Sequence, residues 1–255
     1  MILQAWKNEA FTHKGEFYEF PVPGWKETNR FFEPLDPRYH GPDGEYKAMY
    51  VHPRPYQDGH PPVWLMSNAP PTFKLAGDRG WGVISMAAGV KRTLACWEPY
   101  RDALAASTGR EYALGEGVGV CTAFYVGESM EEAVNTIRPS INAYYEFLGG
   151  SRPAGEWTKH GYLDIGEEMT PEDEESDWFD FLNKRGIIMV GDAEFVAERI
   201  AERQATTGLD HMMLMQQYTG VPYEKILASW HRLFEHVVPR FGTQSIAQKR
   251  EAKHA

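Results

Sequence analysis

The feature that most constrains this chain is an alternation of short, continuous apolar runs with helix-type patterns. Four such runs are interpreted as buried strands: VWLM (63–66), WGVISM (81–86), GVCTAFYV (119–126) and HMMLM (211–215). Runs that are apolar throughout are typical of strands covered by helices, as in parallel sheets. The sequence therefore predicts an α/β fold with four β-then-α units, over residues 61–150 and 187–240.

Helix boundaries support this pattern. Ser129 with Glu132 three residues later forms a capping-box signature, and that helix is expected to run to Gly149. Asp192 is a plausible N-cap for a helix that stops at Gly208. Further helices are predicted over 72–78, 94–107 and 223–238.

Three segments do not follow the alternation. Residues 1–60 are rich in aromatic residues, proline and glycine and predict an irregular lead-in. Residues 151–186 carry the acidic stretch EEMTPEDEESDWFDF, of a type that often marks a solvated loop. The last ten residues, 246–255, form a polar tail. The expected organisation is one domain over 1–245.

Bulk properties exclude several classes of protein. The net charge is −10 and no long basic run is present, so a nucleic-acid partner is not expected. No stretch reaches the roughly 18 apolar residues that span a bilayer, so no membrane role is expected. Two cysteines without C-x-x-C spacing favour the cytoplasm. The histidines show no ligand spacing, so no metal site is predicted, and G-x-G-x-x-G and G-x-S-x-G are absent.

Three segments resemble luciferase-like flavin monooxygenases in the order found in that family. They are residues 6–20 (WKNEAFTHKGEFYEF), residues 53–77 (PRPYQDGHPPVWLMSNAPPTFKLAG), and residues 190–210 together with 229–239. The middle segment is similar to the family's P-x-P-x-Q-PP-[IV]-W strand and the turn that follows it. The combination covers nearly the whole chain and is specific, although each segment alone would be weak.

The resemblance implies a (β/α)8 barrel of which this chain offers strands five to eight after an irregular N-terminal segment. It implies oxidation of a small organic substrate with reduced FMN and O2, the flavin being delivered by a separate reductase. The deazaflavin F420 serves other members of the superfamily, so an F420-dependent oxidoreductase is an alternative. The family's catalytic histidine belongs to strands without a counterpart here, so no catalytic residue is assigned.

The resemblance and the position of strand ends together predict the cofactor site. Active sites of barrels lie at the C-terminal ends of the strands, and a helix N-terminus there favours phosphate. The turn after the first strand would bind the flavin phosphate, and strand ends would contact its ring. The predicted cofactor residues are Met66, Ser67, Asn68, Ala69, Thr72 and Met86. Pro71 has no N–H and removes one donor from this turn. A plain strand-to-helix turn with proline in its first positions is the alternative.

Other strand-end residues are weaker candidates, because apolar residues there often belong to the core. They are Ala87, Ala88, Phe124, Tyr125 and Gln216.

Residues 151–186 fall where the family has a loop that closes over flavin and substrate. Trp157, Tyr162 and Trp178 are therefore predicted to shield the site from water.

A sheet of only four strands leaves two open edges and an uncovered apolar face. A second hypothesis is therefore a non-catalytic or truncated flavin-binding relative, and a homodimer is expected.

Overall fold

The computed structural model describes residues 1–29, 31, 33–86, 88–150, 158–216 and 219–242. The chain divides into two compact units, Met1–Val63 and Trp64–Ala255. The described strands are β1 (His13–Lys14), β2 (Glu19–Phe20), β3 (Trp64–Met66), β4 (Gly82–Met86), β5 (Val118–Val126), β6 (Met189–Gly191) and β7 (His211–Met215). The described α-helices are α1 (Ile2–Lys7), α2 (Pro70–Asp78), α3 (Val90–Thr108), α4 (Met130–Gly150), α5 (Pro171–Glu175), α6 (Trp178–Lys184), α7 (Ala193–Thr207) and α8 (Tyr223–Arg232).

The first unit contains only short regular elements, where the sequence predicted an irregular lead-in. Strands β1 and β2 pair antiparallel, with His13 opposite Phe20. Trp25 stacks on Tyr46 with 4.5 Å between ring centroids. Aromatic contacts of this kind hold a segment that lacks long helices or strands.

The second unit is built on a parallel sheet, which confirms the predicted fold class. The strand order is β3-β4-β5, and β7 pairs with β5 along Gly119–Ala123. All four of these strands coincide with the four apolar runs. The described strands form an open sheet rather than a closed barrel, as expected for part of a (β/α)8 fold.

A fifth parallel strand, β6, was not predicted. Its residues pair with the last part of β5, so that Phe124 lies opposite Met189 and Val126 lies opposite Gly191. The strand has three residues and is buried throughout. A run this short has no measurable periodicity, and the sequence analysis assigned structure only from Asp192 onwards.

The two faces of the sheet differ in their covering. Register partners point to the same side of a sheet, so Val83, Val118 and Met212 share one face. These residues pack in the clusters beneath α2, α3, α7 and α8. Trp64, Met66, Met86, Cys121, Ala123, Met213 and Met215 point to the opposite face. On that face Trp64, Met66 and Met213 are 41%, 45% and 48% exposed.

Helices α2 and α3 cover the first face through close packing. A Cβ at Gly77 would lie 2.6 Å from the Tyr100 carbonyl oxygen, so only glycine allows the two helices to approach this closely. Trp97 is buried and donates from Nε1 to Ser85 Oγ at 3.0 Å. The indole N–H thus finds a partner inside the core.

Capping residues place the helices where the sequence predicted them. The Asp192 side chain accepts from the Phe195 N–H, and Gly208 ends α7 in the left-handed conformation. The Glu132 N–H donates to Ser129 Oγ at 3.1 Å. One prediction was wrong in detail: the last helix is α-helical only to Arg232, and it continues as a π-turn (Leu233–Val237) and a 3-10 turn (Val238–Phe241).

The described part of 151–186 is helical and packed. A 3-10 turn (Lys159–Tyr162) precedes α5 and α6. Within the acidic stretch, the Asp173 side chain is 2% exposed and pairs with Arg185 at 2.9 Å. The expectation of a solvated acidic loop is therefore wrong at Asp173, because Arg185 and Lys184 compensate its charge.

Candidate active site

A cavity of about 370 Å³ lies at the C-terminal ends of the strands in the second unit. Its floor is formed by side chains on the same sheet face as Trp64 and Met66, in the part that α4 covers: Met86 of β4, Cys121 and Ala123 of β5, and Met215 of β7. Because all four belong to parallel strands in register, they meet at one edge of the sheet. This is the position at which the sequence analysis expected a site.

The floor is apolar and chemically inert. Burial raises the pKa of the Cys121 thiol above its usual range. The thiol therefore stays protonated at neutral pH and is a poor nucleophile. Cys121 contributes shape to the cavity rather than reactivity.

Three tyrosines and Leu148 form the wall and roof. Tyr144 and Tyr145 come from α4, and Tyr162 comes from the 3-10 turn. The Tyr145 and Tyr162 rings lie 5.4 Å apart. Burial raises the pKa of both hydroxyls above the ordinary tyrosine value, and the neighbouring tyrosines raise it further. Both hydroxyls are therefore neutral at physiological pH.

The first turn of α3 closes the cavity on one side. Gly89 and Arg92 line it, and Arg92 lies one residue after Lys91 at the helix start. The side chain of Asp164 reaches this helix end, where it accepts from the Lys91 N–H at 2.9 Å and the Arg92 N–H at 2.8 Å. A carboxylate is favoured at this position by the unpaired N–H groups and by the helix dipole.

Among the predicted cofactor residues, Asn68 and Met86 line the cavity. Asn68 Oδ1 accepts from the Met86 N–H at 2.8 Å, which fixes the turn after β3 against the end of β4. Met66 points to the uncovered face of the sheet and is 45% exposed. Ala88, a weaker candidate, also lines the cavity.

The turn predicted to bind phosphate, residues 67–72, begins α2. The Ala69 N–H donates to Ser67 Oγ at 3.0 Å, and the Thr72 N–H donates to the Ala69 carbonyl at 3.0 Å. Pro70 and Pro71 occupy the first helical positions and have no N–H. The backbone of residues 69–72 therefore has no unengaged donor, and the Ser67 and Thr72 hydroxyls are the groups that a phosphate could use.

The predicted shielding residues separate in the structure. Tyr162 lines the cavity. Trp178 does not line the cavity. Its ring stacks on that of Tyr145, with 5.2 Å between the ring centroids, so Trp178 supports the cavity wall instead of contacting a ligand in this cavity. Trp157 and the candidate ring contact Ala87 lie outside the described residues.

Three of the weaker candidates, Phe124, Tyr125 and Gln216, do not line this cavity. Phe124 packs edge-on against Trp230, and Tyr125 belongs to the core around α4. Gln216 is 5% exposed, and neither atom of its amide has a hydrogen-bond partner among the described residues.

The sequence analysis missed Arg92, Tyr145 and Asp164 as site residues. Arg92 had a usable signal, since a cation in the first turn after a strand lies at the active edge of a barrel. Asp164 had none, because its contact with α3 joins segments more than 70 residues apart.

Within the described residues, no group of three His, Cys, Asp or Glu side chains could hold a metal ion. The same residues contain no helix long and apolar enough to cross a membrane.

Residues 1–211 match the family model described as luciferase-like monooxygenase. No match is found among curated proteins.

Several solved structures share the fold. Monooxygenase RslO1 from Streptomyces bottropensis has a TM-score of 0.66 at 16% identity, over 94% of this chain and 59% of that one. The oxygenating constituent of 3,6-diketocamphane monooxygenase from Pseudomonas putida, in complex with FMN, has a TM-score of 0.57 at 18% identity, over 93% and 60%. The coenzyme F420-dependent tetrahydromethanopterin reductase from Methanopyrus kandleri has a TM-score of 0.54 at 16% identity, over 94% and 61%. This chain therefore spans about three fifths of the length of these structures.

Proposed function

Since the chain belongs to the luciferase-like monooxygenase family, we propose that it serves in the oxidation of a small organic substrate by reduced FMN and O2. The observation that carries the proposal is the cavity at the C-terminal strand ends, with an apolar floor and tyrosines above it. Cavities of this size and lining are typical of cofactor and small-molecule sites.

The residues present fit the ring of a flavin better than its phosphate. A volume of about 370 Å³ accepts one flat ring system, between the floor of Met86 and Cys121 and the roof of Tyr162. The Asn68 amide lies at the edge of this space and can bond a polar ring atom. The phosphate would be bound by the hydroxyls of Ser67 and Thr72, since the backbone of residues 69–72 offers no free donor.

The protein's own part in the reaction is positioning and the exclusion of water. A bound reduced flavin supplies the electrons that activate O2, and the protein supplies shape and polarity around it. Tyr162 covers the cavity, and Tyr145 keeps a neutral hydroxyl in its wall. These groups can donate hydrogen bonds, and their raised pKa keeps them protonated at physiological pH.

F420 is the alternative cofactor, and with it the protein would be an oxidoreductase. The fold similarity to the F420-dependent reductase from Methanopyrus kandleri supports this alternative as far as the fold is concerned. A flavin reductase would be the partner in the FMN case only, because it delivers the reduced flavin.

The uncovered sheet face favours a second candidate function, a flavin-binding protein that associates through that face. Trp64 and Met66 of β3 and Met213 of β7 expose apolar surface on the same face of the sheet. Exposed apolar patches of this kind mark interaction sites or association. A homodimer is the form of this association that we propose.

An anaerobic titration tests both functions. Purified protein is titrated with reduced FMN and, in parallel, with reduced F420, and O2 is then admitted while its consumption and peroxide release are measured. The monooxygenase proposal expects micromolar binding of FMN and slow peroxide release. Binding without any effect on the reaction with O2 supports the second candidate, and binding of F420 alone supports the alternative cofactor.

A matched pair of variants locates the binding. Asn68→Ala removes the amide at the cavity edge and is expected to weaken FMN binding about tenfold. Asn8→Ala, on an exposed residue of the first unit, is the control and should bind as the wild type does. Equal binding by both variants would contradict the assignment of this cavity to the flavin ring.

A further inference from the structure

Helix α3 receives its N-terminal cap from a distant segment. Its N-cap residue is Gly89, which has no side chain to satisfy the first N–H groups. The Asp164 carboxylate does so instead, with bonds of 2.9 Å from the Lys91 N–H and 2.8 Å from the Arg92 N–H. A Cβ at Gly89 would lie 2.4 Å from Asp164 Cγ, so the close approach requires glycine.

The side chain of Arg92, in turn, binds the backbone of the segment that carries Asp164. Its guanidinium donates to the Leu163 carbonyl at 3.0 Å and to the Gly161 carbonyl at 3.4 Å. These carbonyls stand on either side of Tyr162. The backbone around the roof tyrosine is thereby attached to α3 at both ends.

Tyr162 is the part of this segment that enters the cavity. It lines the cavity, and its ring packs 5.4 Å from Tyr145 and 5.7 Å from Trp178. Its position over the floor therefore depends on the attachment of its backbone to α3. If the hydrogen bonds of Arg92 and Asp164 break, Tyr162 is no longer held over the floor of the cavity.

Each of the two charged side chains, Arg92 and Asp164, is bonded to the backbone of the segment that carries the other. Among the described residues that line the cavity, Arg92 is the one charged side chain. Its donors are directed at two backbone carbonyls, and Asp164 compensates the positive end of α3. A ligand in the cavity therefore meets apolar groups, neutral hydroxyls, the Asn68 amide and the guanidinium of Arg92.

We propose that Arg92 and Asp164 form a clamp that holds Tyr162 over the cavity, and that the clamped cavity selects flat ring compounds without a positive charge. The proposal rests on the proposed function only in taking this cavity as the ligand site. A flat ring bound in this cavity has two sources: it belongs either to the cofactor or to a substrate. Cationic ring compounds are disfavoured because Arg92, the one charged side chain among the described lining residues, is itself a cation.

Hydrogen exchange on the ligand-free protein tests the clamp. Asp164→Ala is expected to raise the exchange rate of amides in residues 158–167 about tenfold, as the loss of two hydrogen bonds would. Exchange in β5 and α7 should stay as in the wild type. Unchanged exchange in residues 158–167 would overturn the clamp.

Two conservative variants keep the test valid if Asp164→Ala folds poorly. Asp164→Asn keeps one acceptor for the α3 N–H groups and should raise the exchange rate by less. Arg92→Lys keeps the charge but loses the planar fork whose two terminal nitrogens reach the two carbonyls, and it should loosen the same segment. Asp102→Asn, an exposed position on the same helix, is the control and should leave this segment unchanged.

Binding of three probes tests the selection. Lumiflavin is the flavin ring without its ribityl phosphate, and 2-naphthol and N-methylquinolinium are a neutral and a cationic ring of similar size. We expect at least one neutral probe to bind, N-methylquinolinium to bind at least tenfold more weakly than that probe, and Asp164→Ala to raise the dissociation rate of the neutral probe. Preference for lumiflavin assigns the cavity to the cofactor ring, and preference for 2-naphthol assigns it to a substrate ring.

The selection is overturned if N-methylquinolinium binds as tightly as the neutral probes or if neither neutral probe binds. Failure of the proposed function appears differently. A wild type that binds 2-naphthol but neither FMN nor F420 leaves the clamp intact and removes the flavin assignment. The exchange measurement needs no ligand and is independent of both.

Discussion

Trp64 of β3 and His211 of β7 meet across the uncovered face of the sheet, with 5.2 Å between their ring centroids. The two strands are separated in the sheet by β4 and β5. The contact is allowed because the register places Gly82 and Gly119 between them. The absence of two side chains thus lets an indole and an imidazole span four strands.

We expect Gly82→Ala to destabilise the second unit. A Cβ at this position would lie 2.4 Å from the Trp64 ring, so the indole must move. Overpacking of this kind costs about 1–3 kcal/mol of unfolding free energy. Chemical denaturation of the wild type, Gly82→Ala, Trp64→Leu and the double variant measures it. The cost of Gly82→Ala should shrink in the Trp64→Leu background, and an equal cost in both would show that the indole is not the cause.

We expect the free energy of unfolding to fall at alkaline pH because the buried Tyr100 hydroxyl ionises. Burial raises the pKa of Tyr100 to about 12, and its hydroxyl donates to the carbonyls of Trp81 at 2.9 Å and Gly117 at 3.1 Å. In the unfolded chain the group ionises near pH 10, so its contribution is complete below about pH 10 and is lost as pH rises towards 12. Thermal unfolding between pH 8 and 12 should therefore show a flatter alkaline decline in Tyr100→Phe than in the wild type. Identical slopes would contradict this assignment.

Stability should fall at acid pH through Asp173. The hydrogen bonds from Arg185 hold the pKa of this carboxyl well below its usual range, despite the opposing effect of burial. Its contribution is present above about pH 4, the ordinary value for aspartate, and is lost as pH falls below it. Asp173→Asn should be less stable than the wild type at pH 7 and should lose less stability between pH 5 and 3. Asp102→Asn, at an exposed position, is the control and should follow the wild type.

Two neighbouring methionines test the uncovered face. Met213 is 48% exposed, so Met213→Lys should leave the unfolding free energy within about 0.5 kcal/mol of the wild type and should abolish any self-association. Met212 packs in the covered core, so Met212→Lys should cost about 2 kcal/mol or more. Light scattering after gel filtration gives the mass, and denaturation gives the stability. A dimer that survives Met213→Lys would exclude this face as the interface.

The fold was predictable where one pattern extended over many residues. The four longer apolar runs identified β3, β4, β5 and β7, and Asp192 with Gly208 bounded α7 correctly. Strand β6 was missed because its three residues carry no period, and its pairing with β5 depends on contacts distant in sequence. Short strands of this kind are set by the tertiary environment.

The sequence predicted the site residues at the strand ends but not the contacts that hold Tyr162 over the cavity. Asn68 and Met86 were foreseen because they follow barrel-type strands, and both line the cavity. The bonds of Asp164 to the first turn of α3 could not be read from local propensity, since they join separate parts of the chain. Pro71 was recognised as the loss of one donor, and the structure adds that the Ala69 and Thr72 N–H groups are engaged.

The pairing of β7 with β5 has a consequence during synthesis on the ribosome. Gly119 pairs with His211, which is translated 92 residues later. At typical elongation rates that interval is roughly 5–20 seconds. The same interval separates the emergence of the two residues from the exit tunnel, so one edge of β5, the longest of the described strands, stays unpaired and open to aggregation for that time.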